Sequence, residues 1–445
     1  MNTDESTWQY ITAHATDDVA YLALHPSKDP QVDMPMALQQ IAGRQKAKEK
    51  LPDWYATDGI LYPKKVSMEQ CSSSQTADYK TSLVSGSSFA DLSGGFGVDT
   101  ISLARKFEKG YYVEPQEELC ELFQHNCKAF GINHITIIND TLEKSIERLE
   151  LVDVIYLDPS RRDVHGRRVF SLEDCTPNLL EWKSVLLEKC NTLMVKLSPM
   201  FDLHQTLRAL PETYAVHVIA VNGECKEVVC LLTTNAPDNG ICRDAKFCVS
   251  TPNTDATDTT IVAVDIRNNA MVGSRRDDVP IVSTTVESER TTPPSIATEL
   301  GTYLYEPNAA VMKAGIFNSI SQQFQIQKLE KNTNLFTSNE LREDFPGRIF
   351  RIETVHEFHP RKTAKELSHL ESASIAVRNF PLSAEELRKV LKIKDGNAYY
   401  LFGCILFDGR KVVIRCTSTH GRNFSTSTTK TTKQQRTAAK PIAKS

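Results

Sequence analysis

The 445-residue sequence lacks the features typical of membrane, secreted or disulfide-linked proteins. No apolar run approaches the roughly 18 residues that a membrane helix needs. The chain begins Met-Asn-Thr-Asp-Glu, without the basic start and apolar stretch of a secretion signal. It has eleven cysteines but no C-x-x-C pair, which favours buried thiols over a disulfide or zinc framework. We therefore expect a cytoplasmic protein without a bound metal.

A strong net charge is also absent. The formal net charge is −4, which argues against a uniformly basic nucleic-acid binder. The exception is the end of the chain, where residues from Thr417 onward include six basic residues and no acid. This segment has too few large apolar residues to form a core, so we expect it to be disordered. Such a tail attracts phosphates through salt-sensitive electrostatics, or it only keeps the chain soluble.

The most informative segment runs from Phe89 to Asp99 and combines an expected strand, a glycine turn and the start of a helix. Gly95 and Gly97 allow the backbone to turn tightly and a ligand to approach it closely. The start of the following helix offers unpaired N–H groups. Taken alone the glycines are a weak signal, since Gly-Gly also marks ordinary turns.

Four expected strands in a row end in an acidic residue. The acids are Asp91, Glu114, Asp140 and Asp158, after expected strands near residues 89–91, 111–113, 135–138 and 152–157. Ligands of open parallel sheets bind at the carboxyl ends of the strands, so we expect these acids to gather on one edge. This repeated coincidence is a much stronger signal than any single motif.

With these motifs, residues 85 to 235 resemble the class I S-adenosylmethionine-dependent methyltransferases. The D-x-x-x-G-x-G pattern of that family matches Asp91, Gly95 and Gly97, and its D-P motif matches Asp158 and Pro159. The whole chain, except its last thirty or so residues, resembles the bacterial methyltransferases with a C-terminal THUMP-like module. The segments that carry this closer resemblance are 158–162, 173–177 and 379–383. An NAD-dependent oxidoreductase is disfavoured, because Thr100 replaces the third glycine of G-x-G-x-x-G.

The resemblance implies an α/β fold. A Rossmann-like class I methyltransferase sheet would follow an N-terminal helical region and precede a C-terminal α+β module of ferredoxin-like and THUMP-like type. The expected regions are 1–84 (helical), 85–238 (S-adenosylmethionine-binding), 239–345 (small α+β, ferredoxin-like), 346–416 (THUMP-like) and 417–445 (disordered basic tail). Within them we expect a strand at 260–264 in the small α+β region and one helix over 309–320. We also expect hairpins at Asn222-Gly223 and Asp408-Gly409, and a capping box at Ser383.

The resemblance also implies a cofactor site for S-adenosyl-L-methionine. Glu114 would bind the ribose hydroxyls and Asp140 would lie on the adenine side. The implied cofactor-binding residues are Asp91, Ser93, Gly94, Gly95, Gly97, Asp99, Glu114, Asp140 and Asp158. A helix before the first strand would lie near the cofactor and bring Gln70, Thr76 or Lys80 to it.

The acceptor site is expected around Asp158 and Pro159, which are in position to hold a nucleophile. Relatives that methylate exocyclic amines usually follow D-P with a second proline and an aromatic residue that stacks on the base. Ser160 and Arg161 stand there instead, which puts amine methylation of a base in doubt. We therefore name Asp158, Pro159 and Arg161 as catalytic candidates. The substrate-binding candidates are Arg161, which would stack on a base or grip a phosphate, Arg162, and Lys196, which is a substrate contact or a structural ion-pair partner.

Taken together, the resemblance predicts a methyltransferase that modifies RNA, namely a base of rRNA or tRNA. The alternatives are a non-catalytic RNA-binding protein that retains the fold, and a methyltransferase for another substrate. RNA binding is further indicated by a dense set of basic residues near the C-terminus. This set comprises Arg361, Lys362, Lys365, Arg378, Arg388, Lys389, Lys392 and Lys394.

Overall fold

The computed structural model describes residues 5–160, 172–234, 258–267 and 281–419. Six helices open the chain: α1 Glu5–Ala13, α2 Val19–Leu24, α3 Met34–Lys50, α4 Pro52–Ala56, α5 Lys65–Gln70 and α6 Ser74–Ser82. Polar side chains cap α2, α3 and α6, and at the start of α3 Asp33 accepts the backbone N–H of Met36. Ser73 does the same for Thr76 at the start of α6. These bonds satisfy N–H groups that lack a partner within the helix.

In the described residues, nine strands form a sheet in the order β3-β2-β1-β4-β5-β7-β6-β8-β9. Strands β1 to β5 run parallel, and β7 pairs antiparallel with both β5 and β6. The hairpin expected at Asn222-Gly223 is present, and it supplies the antiparallel end that the resemblance implies. The strands are β1 Ser88–Asp91, β2 Lys109–Val113, β3 Ile135–Ile138, β4 Val152–Leu157, β5 Cys190–Leu197, β6 Thr213–Val221, β7 Glu224–Leu232, β8 Thr260–Ile266 and β9 Ile281–Thr285.

Both faces of this sheet are buried. In β4, Ile155 and Leu157 belong to one apolar cluster, whereas Val154 and Tyr156 belong to another. Neighbouring side chains of a strand point to opposite faces, so a near-continuous apolar sequence is what a sheet covered on both sides requires. The helices after these strands are α7 Val98–Ala104, α8 Glu117–Ala129, α9 Leu142–Ser145, α10 Leu179–Glu188, α11 Leu203–Ala209 and α12 Val286–Thr291, with short 3-10 turns at Ile146–Arg148 and Leu172–Asp174.

Strand β8 differs from the sequence-based expectation in its location. We expected a strand at 260–264 within a small separate α+β region, whereas β8 pairs in parallel with β6 in the nine-stranded sheet. Six of its seven residues are buried, which matches the interior position that it takes between β6 and β9. The apolar run thus indicates a strand, but it carries no information about which sheet the strand joins.

A second sheet forms the C-terminal part of the chain. Its seven strands lie in the order β11-β12-β10-β13-β16-β15-β14. The bounds are β10 Tyr303–Pro307, α13 Ala309–Ala314, α14 Phe317–Gln323, β11 Gln327–Glu330, β12 Thr333–Ser338, β13 Gly347–Glu357, α15 Pro360–Glu366, β14 Ser374–Arg378, α16 Ala384–Leu391, β15 Tyr400–Ile405 and β16 Lys411–Ser418.

For the C-terminal part, two sequence-based predictions of secondary structure are confirmed and two are wrong. The capping box at Ser383 and the hairpin at Asp408-Gly409 are present. The single helix expected over 309–320 is two helices, because Gly315 ends α13 in the left-handed region, with φ at 72°. Thr417 and Ser418, expected in the tail, pair with β13 as part of β16. Residues 420–445 of the expected tail lie outside the described residues.

The two sheets share an apolar core. Ala310 and Val311 of α13 lie in the same cluster as Val216 of β6 and Ala263 of β8. At the end of this contact, Lys313 Nζ donates a hydrogen bond of 2.5 Å to the backbone carbonyl of Phe201, in the loop after β5. The C-terminal part is therefore attached beside the edge at which β4 and β5 end. Within the described segments, no helix combines the length and apolar character needed to cross a membrane.

Candidate active site at the carboxyl edge of the nine-stranded sheet

The turn between β1 and α7 is shaped by three glycines with different roles. A Cβ added to Gly94 or Gly97 would come within 2.3 Å of the Tyr112 ring or 2.2 Å of the Phe123 ring, respectively. Packing therefore requires glycine at both positions. Gly95 has φ at 53°, and an added Cβ there would meet only a backbone oxygen, at 3.7 Å. The space at Gly95 is open, as a ligand cradle requires.

Asp91 stabilises the turn between β1 and α7 through hydrogen bonds. It is buried, and its carboxylate accepts hydrogen bonds from the Thr100 hydroxyl at 2.6 Å and the Ser93 backbone N–H at 2.9 Å. Burial raises the pKa of Asp91 to about 7, although these hydrogen bonds work to lower it. The Ser93 hydroxyl in turn accepts the backbone N–H of Asp158 at 2.7 Å. Asp91 and Ser93 thus tie the ends of β1 and β4 together.

Glu114 lies at the end of β2 and is bound to the same turn. One carboxylate oxygen accepts the backbone N–H of Gly95 at 2.9 Å, and the other accepts that of Gln116 at 3.0 Å. The backbone carbonyl of Glu114 accepts a bond from the Asn139 side chain, after β3. The carboxylate therefore has a fixed orientation beside Gly95. The structure brings these two sequence-predicted residues into contact.

Asp140 forms its hydrogen bonds with residues of its own loop and not with the glycine turn after β1. Its carboxylate accepts the backbone N–H of Thr141 at 3.0 Å and a 2.6 Å bond from Arg148 Nη2. The Thr141 N–H and the Arg148 guanidinium hold the pKa of Asp140 below its ordinary value. Asp140 stays on the predicted edge, after β3, but its bonds within the described residues are to its own loop.

Asp99 was expected to bind cofactor, but its carboxylate points into a buried ionic group behind the turn. It lies 2.9 Å from Lys80 Nζ and accepts bonds from the Ser72 hydroxyl at 2.7 Å and the Tyr156 hydroxyl at 3.0 Å. Burial works to raise the pKa of Asp99, but the Lys80 and Lys196 ammonium groups outweigh it and hold that pKa below its ordinary value. Lys80, which we expected near the cofactor, is itself only 2% exposed.

Five charged residues make up this group, which we call the charge cluster. Lys80 Nζ lies 3.0 Å from Glu227 Oε2, and Lys196 Nζ lies 3.9 Å from the same oxygen. Lys196 Nζ also lies 2.5 Å from Asp158 Oδ2. The charge cluster consists of Lys80 in α6, Asp99 in α7, Asp158 after β4, Lys196 in β5 and Glu227 in β7.

Exposure increases along the charge cluster toward the carboxyl edge. The side chains of Lys80 and Glu227 are 2% and 3% exposed, that of Lys196 is 13% and that of Asp158 is 36%. Burial works to lower the pKa of the Lys196 ammonium. The carboxylates of Asp158, Glu227 and Asp99 outweigh it and hold that pKa above its ordinary value. Lys196 is thus a protonated donor directly behind the exposed carboxylate of Asp158.

Sequence reasoning missed Glu227 and the ionic role of Lys80. A signal for Glu227 exists, because an acid precedes the apolar run from Val228 to Leu232 in a strand that is buried. A charge in such a place requires a partner of opposite sign. Which lysine pairs with it is a matter of tertiary contact, since Lys80 is 147 residues away in sequence.

Pro159 is buried directly after Asp158, and Ser160 pairs with Thr176 through two backbone hydrogen bonds. Arg161 and Arg162 lie outside the described residues.

The basic residues near the C-terminus comprise two partly buried arginines and six exposed residues, of which Lys362 lies 3.9 Å from Glu366. Arg378 is 2.7 Å from the buried carboxylate of Glu306, and Arg388 is 2.9 Å from Asp395. These two arginines have structural partners. The six exposed members are Arg361, Lys362 and Lys365 on α15 and Lys389, Lys392 and Lys394 on or after α16.

Two family models match the C-terminal sheet. A ferredoxin-like domain matches residues 303–346, and a THUMP domain-like family matches residues 347–418. In the structure both belong to one sheet, because β10 of the first pairs with β13 of the second.

Most of the chain is similar to a crystal structure from Porphyromonas gingivalis W83 of a protein named a "putative methyltransferase". The TM-score is 0.79 at 28% identity, over 94% of this chain and 100% of that chain. The chain has a methyltransferase fold with a C-terminal THUMP-like domain.

Further similarities cover only part of this methyltransferase fold. An rRNA methylase from Streptococcus thermophilus has a TM-score of 0.28 at 15% identity, over 36% of this chain and 95% of that chain. A "putative methyltransferase" from Streptococcus mutans in complex with SAH has a TM-score of 0.27 at 13% identity, over 36% and 95%. At these TM-scores neither likeness carries an argument about function. No curated protein matches the chain.

Proposed function

We propose that the protein is an S-adenosylmethionine-dependent methyltransferase that acts on RNA. The observation that carries the proposal is the contact between Glu114 and the backbone N–H of Gly95. This contact lies beside the point where the strand order reverses, between β1 and β4. Open α/β sheets bind their ligands in the crevice at such a point. In this proposal, the nucleoside of the cofactor lies at the open side of Gly95, next to the carboxylate.

In this proposal the residues of the edge have separate tasks. Glu114 binds the ribose hydroxyls and Asp140 lies on the adenine side, while Asp91 and Ser93 maintain the shape of the turn. When bound, the cofactor supplies a methyl group that is already electrophilic. The protein therefore has mainly to align the acceptor with that methyl group and to exclude water. Asp158, the most exposed carboxylate of the charge cluster, faces the acceptor.

RNA as the substrate is supported by the C-terminal part of the chain. The THUMP-like match covers residues 347–418 and includes the six exposed cations on and after α15 and α16. Exposed lysines and arginines attract the phosphates of RNA, whatever its base sequence. The hydrogen bond from Lys313 to the Phe201 carbonyl connects this part to the loop beside Asp158 and Lys196. In this proposal, the THUMP-like domain binds the RNA that is methylated at the edge.

The experiment is a transfer assay with tritiated S-adenosylmethionine and total RNA from cells that lack the protein. We expect the wild type to label RNA and Asp158→Ala to label none. The affinity of Asp158→Ala for S-adenosylmethionine, measured by calorimetry, should stay close to that of the wild type, because Asp158 acts on the acceptor. If the wild type binds S-adenosylmethionine but labels no RNA, the protein is not an RNA methyltransferase and a non-catalytic binding role replaces this proposal.

A further inference from the structure

We propose that the acceptor is a hydroxyl group, the ribose 2′-hydroxyl of RNA, hydrogen-bonded both to the carboxylate of Asp158 and to the ammonium group of Lys196. This inference rests on the function proposed above and names the acceptor atom of the same site. It departs from the expectation that a base of the RNA is modified. The argument comes from the hydrogen-bonding capacity of the two side chains, from the residues that follow Asp158 and from the charge of the cluster.

Asp158 and Lys196 form an adjacent acceptor and donor at the carboxyl edge. Lys196 Nζ lies 2.5 Å from Asp158 Oδ2, and Asp158 is the most exposed member of the charge cluster. A hydroxyl donates one hydrogen bond and accepts others, so it can satisfy both groups at once. An exocyclic amine of a base offers only donors, and a ring nitrogen that attacks a methyl group needs its lone pair free. A hydroxyl therefore uses both the carboxylate and the ammonium group, whereas an amine uses only the carboxylate.

The two described residues after Asp158, Pro159 and Ser160, do not offer a stacking surface for a base. Enzymes that modify a base must take it out of its stack and hold its flat face against an aromatic or apolar side chain. Pro159 is buried, and Ser160 is fixed to Thr176 by backbone bonds in both directions. The ribose belongs to the RNA backbone. Its 2′-hydroxyl can therefore enter the site without a base being unstacked, and no stacking surface is needed there.

The remaining members of the charge cluster keep Lys196 in place. Glu227 Oε2 lies 3.9 Å from Lys196 Nζ and 3.0 Å from Lys80 Nζ, and Lys80 in turn contacts Asp99. These residues act on the acceptor only through Lys196, so they are positioning residues. With all five side chains ionised, the charge cluster has two positive and three negative charges. The addition of one proton makes the net charge of the cluster zero.

The proposed step is balanced in atoms and electrons. The hydroxyl oxygen forms a bond to the methyl carbon, while the bond from that carbon to the sulfonium sulfur breaks and its electron pair stays on sulfur. As the new bond forms, the hydroxyl proton becomes more acidic than a carboxylic acid and passes to Asp158. Lys196 donates a hydrogen bond to the same oxygen and fixes its direction. Asp158 then releases the proton to water, and the products are a methyl ether and a neutral thioether.

The test uses RNA labelled by the full-length protein from tritiated S-adenosylmethionine, followed by alkaline hydrolysis. Alkali cleaves RNA through a free 2′-hydroxyl, so a methylated 2′-oxygen leaves a resistant dinucleotide, whereas a methylated base is released in a mononucleotide. We expect the label in dinucleotides. Label in mononucleotides would overturn the hydroxyl acceptor but leave the proposed function standing, and no label in any fraction would contradict the proposed function itself.

Variants then test the role of Lys196. Lys196→Met should lower kcat by at least about 100-fold, the range of a lost proton-transfer or orienting group, with S-adenosylmethionine affinity by calorimetry nearly unchanged. Lys196→Arg, which retains a charged donor, should recover part of this loss. The control is Lys183→Met, which removes a lysine of similar exposure (15%) that pairs with Glu212 at 2.8 Å. Equal kcat in Lys196→Met and Lys183→Met would overturn the role of Lys196.

Discussion

At the scale of single residues, Glu114 combines a buried carboxylate with two backbone N–H partners beside the open space at Gly95. We expect Glu114→Ala to weaken S-adenosylmethionine binding by about 1–3 kcal/mol, since charged hydrogen bonds to the ribose would be lost. Isothermal titration calorimetry measures this change in the free energy of binding. Glu118→Ala, which removes an exposed carboxylate paired with Lys64, serves as the control. Binding of NADH in place of S-adenosylmethionine by the wild type would contradict the assignment.

His217 gives a pH dependence that can be worked out from its burial. Its Nδ1 lies 2.9 Å from the Tyr79 hydroxyl oxygen, and burial lowers its pKa from 6.5 to about 4. Between these values the unfolded chain binds a proton that the folded chain does not, so stability falls as the pH falls. From pH 7 to pH 5 this group alone should cost about 2 kcal/mol of unfolding free energy.

The comparison is with His217→Gln, which cannot titrate in this range. Urea unfolding at pH 7 and pH 5 should show a smaller loss of unfolding free energy in the variant than in the wild type. Burial raises the pKa of Asp91 to about 7, which acts with the opposite sign, but Asp91 is present in both proteins and cancels. An equal loss in both proteins would mean that His217 is not held neutral by the fold.

Single residues of the site were predictable where strand ends place them. Asp91, Glu114, Asp140 and Asp158 follow apolar runs that the structure confirms as β1 to β4. The orientation of their side chains was not predictable, because it depends on hydrogen bonds to other segments. The clearest example is Asp99, which the motif places near the cofactor, while contacts with Lys80 and Tyr156 direct its carboxylate into the charge cluster.

At the scale of elements, the turn that joins β1 to α7 depends on close packing. Gly97 and Gly131 both have positive φ, at 86° and 69°, but only at Gly97 would an added Cβ collide with a ring, that of Phe123. Gly131→Ala should cost roughly 1–2 kcal/mol of unfolding free energy through backbone strain alone. Gly97→Ala should cost about 1–3 kcal/mol more, through overpacking.

Urea unfolding of the two glycine variants separates the cost of backbone strain from the cost of overpacking. We also expect Gly97→Ala, and not Gly131→Ala, to weaken S-adenosylmethionine binding, because moving Phe123 would shift the turn. If the two variants lose equal stability and bind equally well, the turn is not fixed by its contact with Phe123.

Element types were better predicted than element partners. The apolar runs at β4 and β8 both indicate strands, and both are strands. The parallel pairing of β8 with β6, from Ala215 and Thr260 to Val221 and Ile266, could not be predicted, because strand periodicity does not encode a partner. The break of the expected helix at Gly315 had a visible signal in the glycine itself.

At the scale of the whole molecule, the basic tail and the THUMP-like domain should contribute to RNA binding in different ways. The chain after Thr419 contains six basic residues and no acid. Truncation after Thr419 should lower RNA affinity and flatten its dependence on salt, because fewer counterions are released on binding. Binding of total RNA at several salt concentrations measures both effects.

The truncation point follows from the structure. A cut after Cys416 would remove Thr417 and Ser418, which pair with Arg351 and Phe350 in β13, and would disturb the sheet. A matched full-length control replaces the basic residues after Thr419 by glutamine and should behave like the truncation. Unchanged affinity and salt dependence in both proteins would mean that the tail only keeps the chain soluble.

The arrangement of the two sheets could not be predicted from the sequence. Composition and motifs indicate a methyltransferase sheet and a THUMP-like domain, but not that α13 packs on β6 and β8 within one apolar core. Nor do they indicate the bond from Lys313 to Phe201, which brings the two parts together at the carboxyl edge. The bond from Lys313 to Phe201 joins residues 112 positions apart in sequence, where local patterns carry no information.

The central claim is that the protein transfers methyl groups to RNA. The most direct measurement is mass spectrometry of nucleosides from the RNA of cells with and without the protein, and of cells that carry Asp158→Ala in its place. We expect one methylated nucleoside to be absent both without the protein and with Asp158→Ala, and to return with the wild type. Identical profiles of methylated nucleosides in all of these cells would contradict the account.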